Sequence, residues 1–224
     1  IIGRLVGSEM CIRDRNRGGR GLKGVTTKSE DTPQLITACF SKDRLLIFTD
    51  QGRVYGMKAW ETPLGSRQSR GSHIRNLLES LREDENIVSI LPVSRELLEE
   101  PDDHYLLFAT RFGLIKKTAL SEYVRINRNG KYALRFKIEG DSLVNVRSAT
   151  NEHDIVMIST TGYASRFSCG DIRASGRVSG GVYGIKVGDR KGSGGGIVAG
   201  MVAMLSADEY LSLIHISEPT RRPI

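Results

Sequence analysis

One short pattern occurs three times in this chain, and a repeat constrains a fold more tightly than composition does. Residues 45–58 read Leu-Leu-Ile-Phe-Thr-Asp-Gln-Gly-Arg-Val-Tyr-Gly-Met-Lys. An apolar run, a polar turn closed by Gly52 and alternating side chains on the return predict a β-hairpin. Residues 106–117 repeat it around Gly113, and residues 155–166 repeat it around Gly162. In every copy a hydroxyl residue stands three positions before the glycine: Thr49, Thr110 and Ser159. The glycines lie 61 and 49 residues apart, a spacing typical of architectures in which each repeat is one small sheet.

Each hairpin is followed by a basic, glycine-containing loop and then by two further strand-like runs. In the first unit a strand is expected at residues 34–40. The loop at residues 66–75 carries Arg67, Arg70 and Arg75, and strands are expected at 74–78 and 87–91. The second unit has Arg125, Arg128 and Lys131 in its loop, then strands at 132–136 and 143–146. The third has Arg173 and Arg177, then strands at 182–186 and 201–205. A short acidic helix is expected at 95–100, and residues 208–211 read as the opening of a fourth hairpin. About four short strands in each of these units predict an all-β, propeller-like array of four-stranded blades. About three blades, near 22–93, 103–147 and 153–205, are expected before the start of a fourth, so the array reads as incomplete.

The bulk numbers agree with a folded, polyanion-facing protein. Hydrophobic residues make up 39% of the 224, and charged residues 26%, enough for a core and too little charge for default disorder. The formal net charge is +7, which makes nucleic acid the first partner to test. Cys11, Cys39 and Cys169 lie far apart, which argues for a reducing compartment and against a disulfide framework or zinc site. No apolar run approaches the ~18 residues of a membrane span. His73, His104 and His153 lack ligand spacing, and the Gly-rich run at 192–196 lacks the Lys-Ser/Thr ending of a phosphate loop, so it reads as a flexible turn. Phe48, Tyr55, Trp60, Tyr105 and Phe108 are expected in the core. Arg53, Lys58, Lys116, Lys117 and Arg166 fall on hairpin strands, where alternation points them to solvent.

Ahead of the first hairpin, residues 16–25 read Asn-Arg-Gly-Gly-Arg-Gly-Leu-Lys-Gly-Val. Arg17, Arg20 and Lys23 alternate with Gly18, Gly19, Gly21 and Gly24. Glycines allow close backbone approach while the cations reach phosphate oxygens; without context the run would be a basic linker. The ends differ in kind. Residues 1–15, with Ser8-Glu-Met-Cys-Ile-Arg-Asp14, and residues 212–224, which follow Leu211, lack the periodicity and resemble translated sequencing-adapter read-through. They are therefore set aside from the fold, leaving residues 16–211.

The glycine box, the first hairpin with its arginine loop, and the run Gly-Arg-Val-Ser-Gly-Gly-Val-Tyr-Gly-Ile-Lys at 176–186 together resemble the C-terminal domain of DNA gyrase A. The family's box normally opens with Gln, where this chain has Arg15. The resemblance implies a β-pinwheel, a propeller whose blades exchange strands, which wraps duplex DNA without sequence preference and supports ATP-dependent negative supercoiling. It implies Arg17, Gly18, Gly19, Arg20, Gly21, Lys23, Arg67, Arg70, Arg75, Arg125, Arg128, Lys131, Arg173 and Arg177 as DNA-binding positions. It also implies a cytoplasmic, nucleoid-associated protein that joins the rest of gyrase A, and gyrase B, in a heterotetramer. Cleavage in the family needs a tyrosine beside an arginine, and no Arg-Tyr pair occurs here. The segment is thus expected to be non-catalytic and free of cofactors, with ATP and Mg²⁺ used elsewhere in the holoenzyme. Two alternatives stand beside this reading: the similar domain of topoisomerase IV, which lacks an intact box, and an unrelated propeller serving as a protein-interaction scaffold.

Overall fold

The three hairpins form because each turn satisfies its own backbone. In the computed structural model, which describes residues 35–65, 72–78, 80–187 and 196–205, the Gly52 amide donates to the Thr49 carbonyl at 3.0 Å. Gly113 and Gly162 donate likewise to Thr110 and Ser159, at 3.1 Å each. All three glycines have φ between 71° and 89°, the left-handed conformation that closes a type I turn with a glycine bulge. The preceding hydroxyl acts in every copy. Thr49, Thr110 and Ser159 accept from the amides of Arg53, Leu114 and Tyr163 at 3.4, 3.2 and 3.1 Å. These side chains are buried, so the bonds stand in for the water that burial excludes.

In chain order the strands are β1 (Arg44–Thr49), β2 (Arg53–Lys58), β3 (Ile87–Val93), β4 (Tyr105–Thr110), β5 (Leu114–Ala119) and β6 (Lys131–Tyr132). They continue as β7 (Leu143–Ala149), β8 (His153–Ser159), β9 (Ala164–Ser168), β10 (Val182–Tyr183) and β11 (Val198–Leu205). Three sheets result, with orders β3-β1-β2-β6, β10-β5-β4-β7 and β11-β8-β9, and the pairings within them are antiparallel. β6 follows the second hairpin in sequence yet closes the first sheet, and β10 follows the third hairpin yet closes the second. The hairpin glycines anchor both exchanges. The Gly52 carbonyl accepts from Ala133 and Leu134 at 2.8 and 3.2 Å, and the Gly113 carbonyl accepts from Gly184 and Ile185 at 2.9 and 3.2 Å.

Period-two alternation stacks the sheets face to face. Leu46 and Phe48 of β1 meet Leu106 and Phe108 of β4 in one core, which Val54, Tyr123 and Leu143 complete. Phe48 and Phe108 pack edge to face with centroids 5.5 Å apart. The alternate residues of β4, Leu107 and Ala109, meet Ile155 and Met157 of β8 in the next core. The outer face of the first sheet, Leu45, Ile47 and Tyr55, is covered by Leu78 and Leu81. The inner strands are cross-linked in turn: Ser89 of β3 donates to the Val146 carbonyl of β7 at 3.3 Å, and Asn145 of β7 donates to the Met201 carbonyl of β11 at 3.3 Å.

Several expectations are corrected. Residues 35–40 form no strand, and residues 74–76 form a 3-10 turn instead of one. The strand expected at 132–136 pairs only through Lys131 and Tyr132, and it does so with the first sheet. The sheets therefore do not coincide with consecutive stretches of sequence. Trp60 lies in a 3-10 turn and is 62% exposed, outside the core. The short helix forms as α1 (Arg95–Glu99), with the Ser94 hydroxyl capping the Leu97 amide at 3.2 Å. The fourth hairpin at 208–211 and most of the glycine run at 192–196 lie outside the described residues.

Candidate nucleic-acid interface

Strand exchange decides where the basic loops go. The loop at 125–131 leads into β6, so it must cross the outer strand of the first sheet to reach it. The Gly56 amide of β2 donates to the Asn127 carbonyl at 3.3 Å. Arg44 holds the loop from beneath, through the Val124 carbonyl at 2.9 Å and the Ile126 carbonyl. Arg53 donates to the Asn129 carbonyl at 3.2 Å. With Ile126 fully buried and these carbonyls turned inward, the side chains of Arg125, Arg128 and Lys131 are left exposed. Lys131 folds back to the Arg125 carbonyl at 3.1 Å. Arg128 pairs with Glu61 at 2.8 Å. Burial pushes the Glu61 carboxyl up, but the bonds from Arg128 and the Lys58 amide prevail and hold it below its usual range.

The loop at 173–181 crosses the second sheet in the same way. Ala174 bridges Lys117 of β5, and the Ser175 amide donates to the Lys117 carbonyl at 2.9 Å. Gly130 and Gly181, with φ of 73° and 74°, make the equivalent bend into β6 and β10. Arg173 is exposed. Arg177 is partly buried, donating to the Glu122 carbonyl at 3.2 Å. The Lys116 ammonium reaches the Ala133 carbonyl at 2.7 Å and the Arg177 carbonyl, tying this loop to the end of the previous exchanged segment. Burial, and then the Arg177 charge, lower the Lys116 pKa to about 7, with Glu122 acting in the opposite direction. Lys117 is equally committed to structure, bonding Asn151 at 2.5 Å and the Cys169 carbonyl at 2.8 Å above the Tyr105 ring.

The alternation-based expectation for these two lysines is therefore corrected. Both are almost fully buried, because β5 is covered on both faces: Lys116 reaches the Ala133 carbonyl of the previous exchanged segment, and Lys117 reaches Asn151 and Cys169 of the next repeat. Arg53 is held by the buried Glu85 at 3.2 Å, and Arg166 pairs with Asp154. Of the sequence-derived loop residues, Arg75 is exposed and donates to the Glu83 carbonyl at 2.8 Å. Arg17, Gly18, Gly19, Arg20, Gly21, Lys23, Arg67 and Arg70 lie outside the described residues. Among the exposed cations not singled out from the sequence are Arg135, Lys137 and Lys186. Arg135 and Lys137 touch the third loop, the Arg135 amide donating to the Ser179 carbonyl at 3.4 Å and Lys137 to the Gly181 carbonyl at 2.5 Å. They bridge the two loops. The available signal was the repeat itself, since Tyr-Ala-Leu-Arg at 132–135 aligns with Tyr-Gly-Ile-Lys at 183–186.

Arg125, Lys131, Arg135 and Arg173 have no carboxylate partner among the described residues. Those residues also hold no group of three His, Cys, Asp or Glu suited to a metal ion, and no helix among them is long and apolar enough to cross a membrane. The geometry is that of a cationic outer surface carried from sheet to sheet by exchanged strands.

Face-stacked antiparallel sheets that trade their outermost strands define a propeller of the pinwheel type. A family model described as DNA gyrase C-terminal domain, beta-propeller, matches residues 12–32, 43–94, 104–150 and 153–193, and the chain belongs to that family. It is 39% identical over 208 residues to the DNA gyrase A protein of Deinococcus deserti, covering 93% of this chain and 25% of that protein. It is 42% identical over 175 residues to the DNA gyrase A protein of Staphylococcus epidermidis, covering 78% of this chain and 19% of that one. The chain thus spans a quarter or less of the length of these relatives. Among solved structures it resembles the C-terminal domain of DNA topoisomerase IV, with TM-score 0.63 and 25% identity over 75% of this chain and 49% of that one. A DNA gyrase A C-terminal domain superposes with TM-score 0.58 and 21% identity over 82% of this chain and 58% of that one.

Proposed function

We propose that this chain binds duplex DNA along its outer rim and bends it, as the wrapping domain of a gyrase A protein. The observation that carries the reading is positional. The loops at 125–131 and 173–181 cross the outer strands of successive sheets in the same way, and Arg135 and Lys137 fill the gap between them. Cations in a continuous row suit a polyanion of regular charge spacing; isolated surface arginines would not. Bending a 20–30 bp site by 40–90° costs roughly 1–6 kcal/mol, which phosphate contacts along a curved surface offset without reading bases. The Arg-Gly-Gly-Arg-Gly run at 17–21 supports gyrase over topoisomerase IV. On this reading the segment acts in the cytoplasm, on the nucleoid, with the rest of gyrase A supplying cleavage and gyrase B supplying ATP hydrolysis.

The test is a variant in which Arg125, Lys131, Arg135 and Arg173 are all replaced by Ala, assayed with duplexes of unrelated sequence. Each lost phosphate contact should lower the log–log salt slope by about 0.9, and affinity should fall alike on every sequence. Unchanged affinity with an unchanged slope would remove these residues from the interface and favour a protein-scaffold role for the rim.

A further inference from the structure

The two exchanged segments share a feature that neither the core nor the cation row uses. Tyr132 and Tyr183 occupy the same position: each follows the positive-φ glycine by two residues and precedes the pair of amides that docks on a hairpin glycine. Each lies on the outermost strand of a complete four-stranded sheet. The residues that follow turn inward, with Ala133, Leu134 and Ile185 buried, while Arg135 and Lys186 turn outward. The tyrosines are 53% and 62% exposed. Tyr132 lies beneath the Arg53 guanidinium at 5.8 Å; among the described residues no such contact holds Tyr183. Large aromatic rings cost free energy in water, so exposure of two at one repeat position points to a surface that covers both.

We propose that Tyr132 and Tyr183 are contact residues for duplex DNA, packing on the deoxyribose face and donating their phenol hydrogen to a phosphate oxygen. The choice of occupant rests on charge. Lys131 and Arg135 flank the first tyrosine and Lys186 follows the second, so the partner presents anions on either side of an apolar patch. The sugar–phosphate backbone has that alternation, and uncharged side chains make phosphate and sugar contacts alongside Arg and Lys. This inference rests on the DNA-binding reading above and adds uncharged contacts to it.

Charge and ring contacts separate in salt. Removing an uncharged contact lowers affinity and leaves the salt slope unchanged, because no counterion is displaced. The Tyr132→Ala, Tyr183→Ala double variant of the full chain should therefore bind a duplex of about 40 bp about 5- to 150-fold more weakly at every salt concentration, each of the two lost hydrogen bonds contributing about 2- to 12-fold. Its log–log line should run parallel to that of the native chain. Native affinity, or a shallower slope, would overturn the proposal. Nitration of the native protein reads the same surface without substitution: tetranitromethane should modify Tyr132 and Tyr183 more slowly when duplex DNA is bound. Equal rates with and without DNA would also overturn it. Failure of the native chain to bind duplex at all would instead sink the parent reading, so the two failures are distinguishable.

Discussion

The Lys116 side chain is enclosed by groups of unlike charge and has no direct salt-bridge partner among the described residues. Phe108 lies 5.4 Å from its nitrogen, two backbone carbonyls accept from it, and Arg177 and Glu122 act on it in opposite senses. A neutral amine can still donate to both carbonyls, so the fold tolerates the low pKa of about 7. An unfolded lysine titrates near 10.4. Between those values the unfolded chain binds the more protons, so stability rises with pH across that window, by at most about 1.4 kcal/mol per unit. It falls again as pH drops toward 7. Lys116→Met should flatten the rise in melting temperature between about pH 7 and pH 10. Parallel curves for the two proteins would contradict this account. Sequence alone could not foresee the burial of Lys116 and Lys117, because alternation identifies faces within one strand. It says nothing of segments from the neighbouring repeats, which here cover both faces of the strand.

At the scale of elements, the hairpin glycines do two things, and the third copy separates them. A β-carbon on Gly113 would meet the Ile185 carbonyl oxygen at 2.0 Å, whereas at Gly162 nothing lies within 4 Å. Both have positive φ, of 89° and 84°, so both substitutions share the backbone cost of roughly 1–2 kcal/mol. Only Gly113→Ala also pushes the exchanged strand off its carbonyl. Chemical denaturation should show Gly162→Ala losing about 1–2 kcal/mol and Gly113→Ala losing about 3 kcal/mol or more. Equal losses would mean that docking at the glycine carbonyl matters little. The turns and the paired hydroxyls were legible in the sequence because they are local, with partners within four residues. The exchange was not: Tyr132 pairs with Arg53 and Tyr183 with Leu114, and no composition or periodicity marks so distant a partner. Only the family resemblance implied it.

At the scale of the whole molecule, the loops that the sequence marked as basic at 125–131 and 173–181 do lie on equivalent outer surfaces of successive sheets. Their internal division of labour was not legible. Arg128 neutralises Glu61 and Arg177 is partly buried, so both help hold their loops in place, while Arg135 and Lys137 extend the exposed row between loops. On the proposed function, this row neutralises consecutive phosphates of a bent duplex. Affinity of the full chain for a mixed-sequence duplex, measured from low to high salt, tests it most directly. A linear log–log plot with a slope steeper than about −3 is expected, each neutralised phosphate contributing about −0.9, with the same slope for unrelated sequences. A flat line, or affinity confined to one sequence, would contradict it.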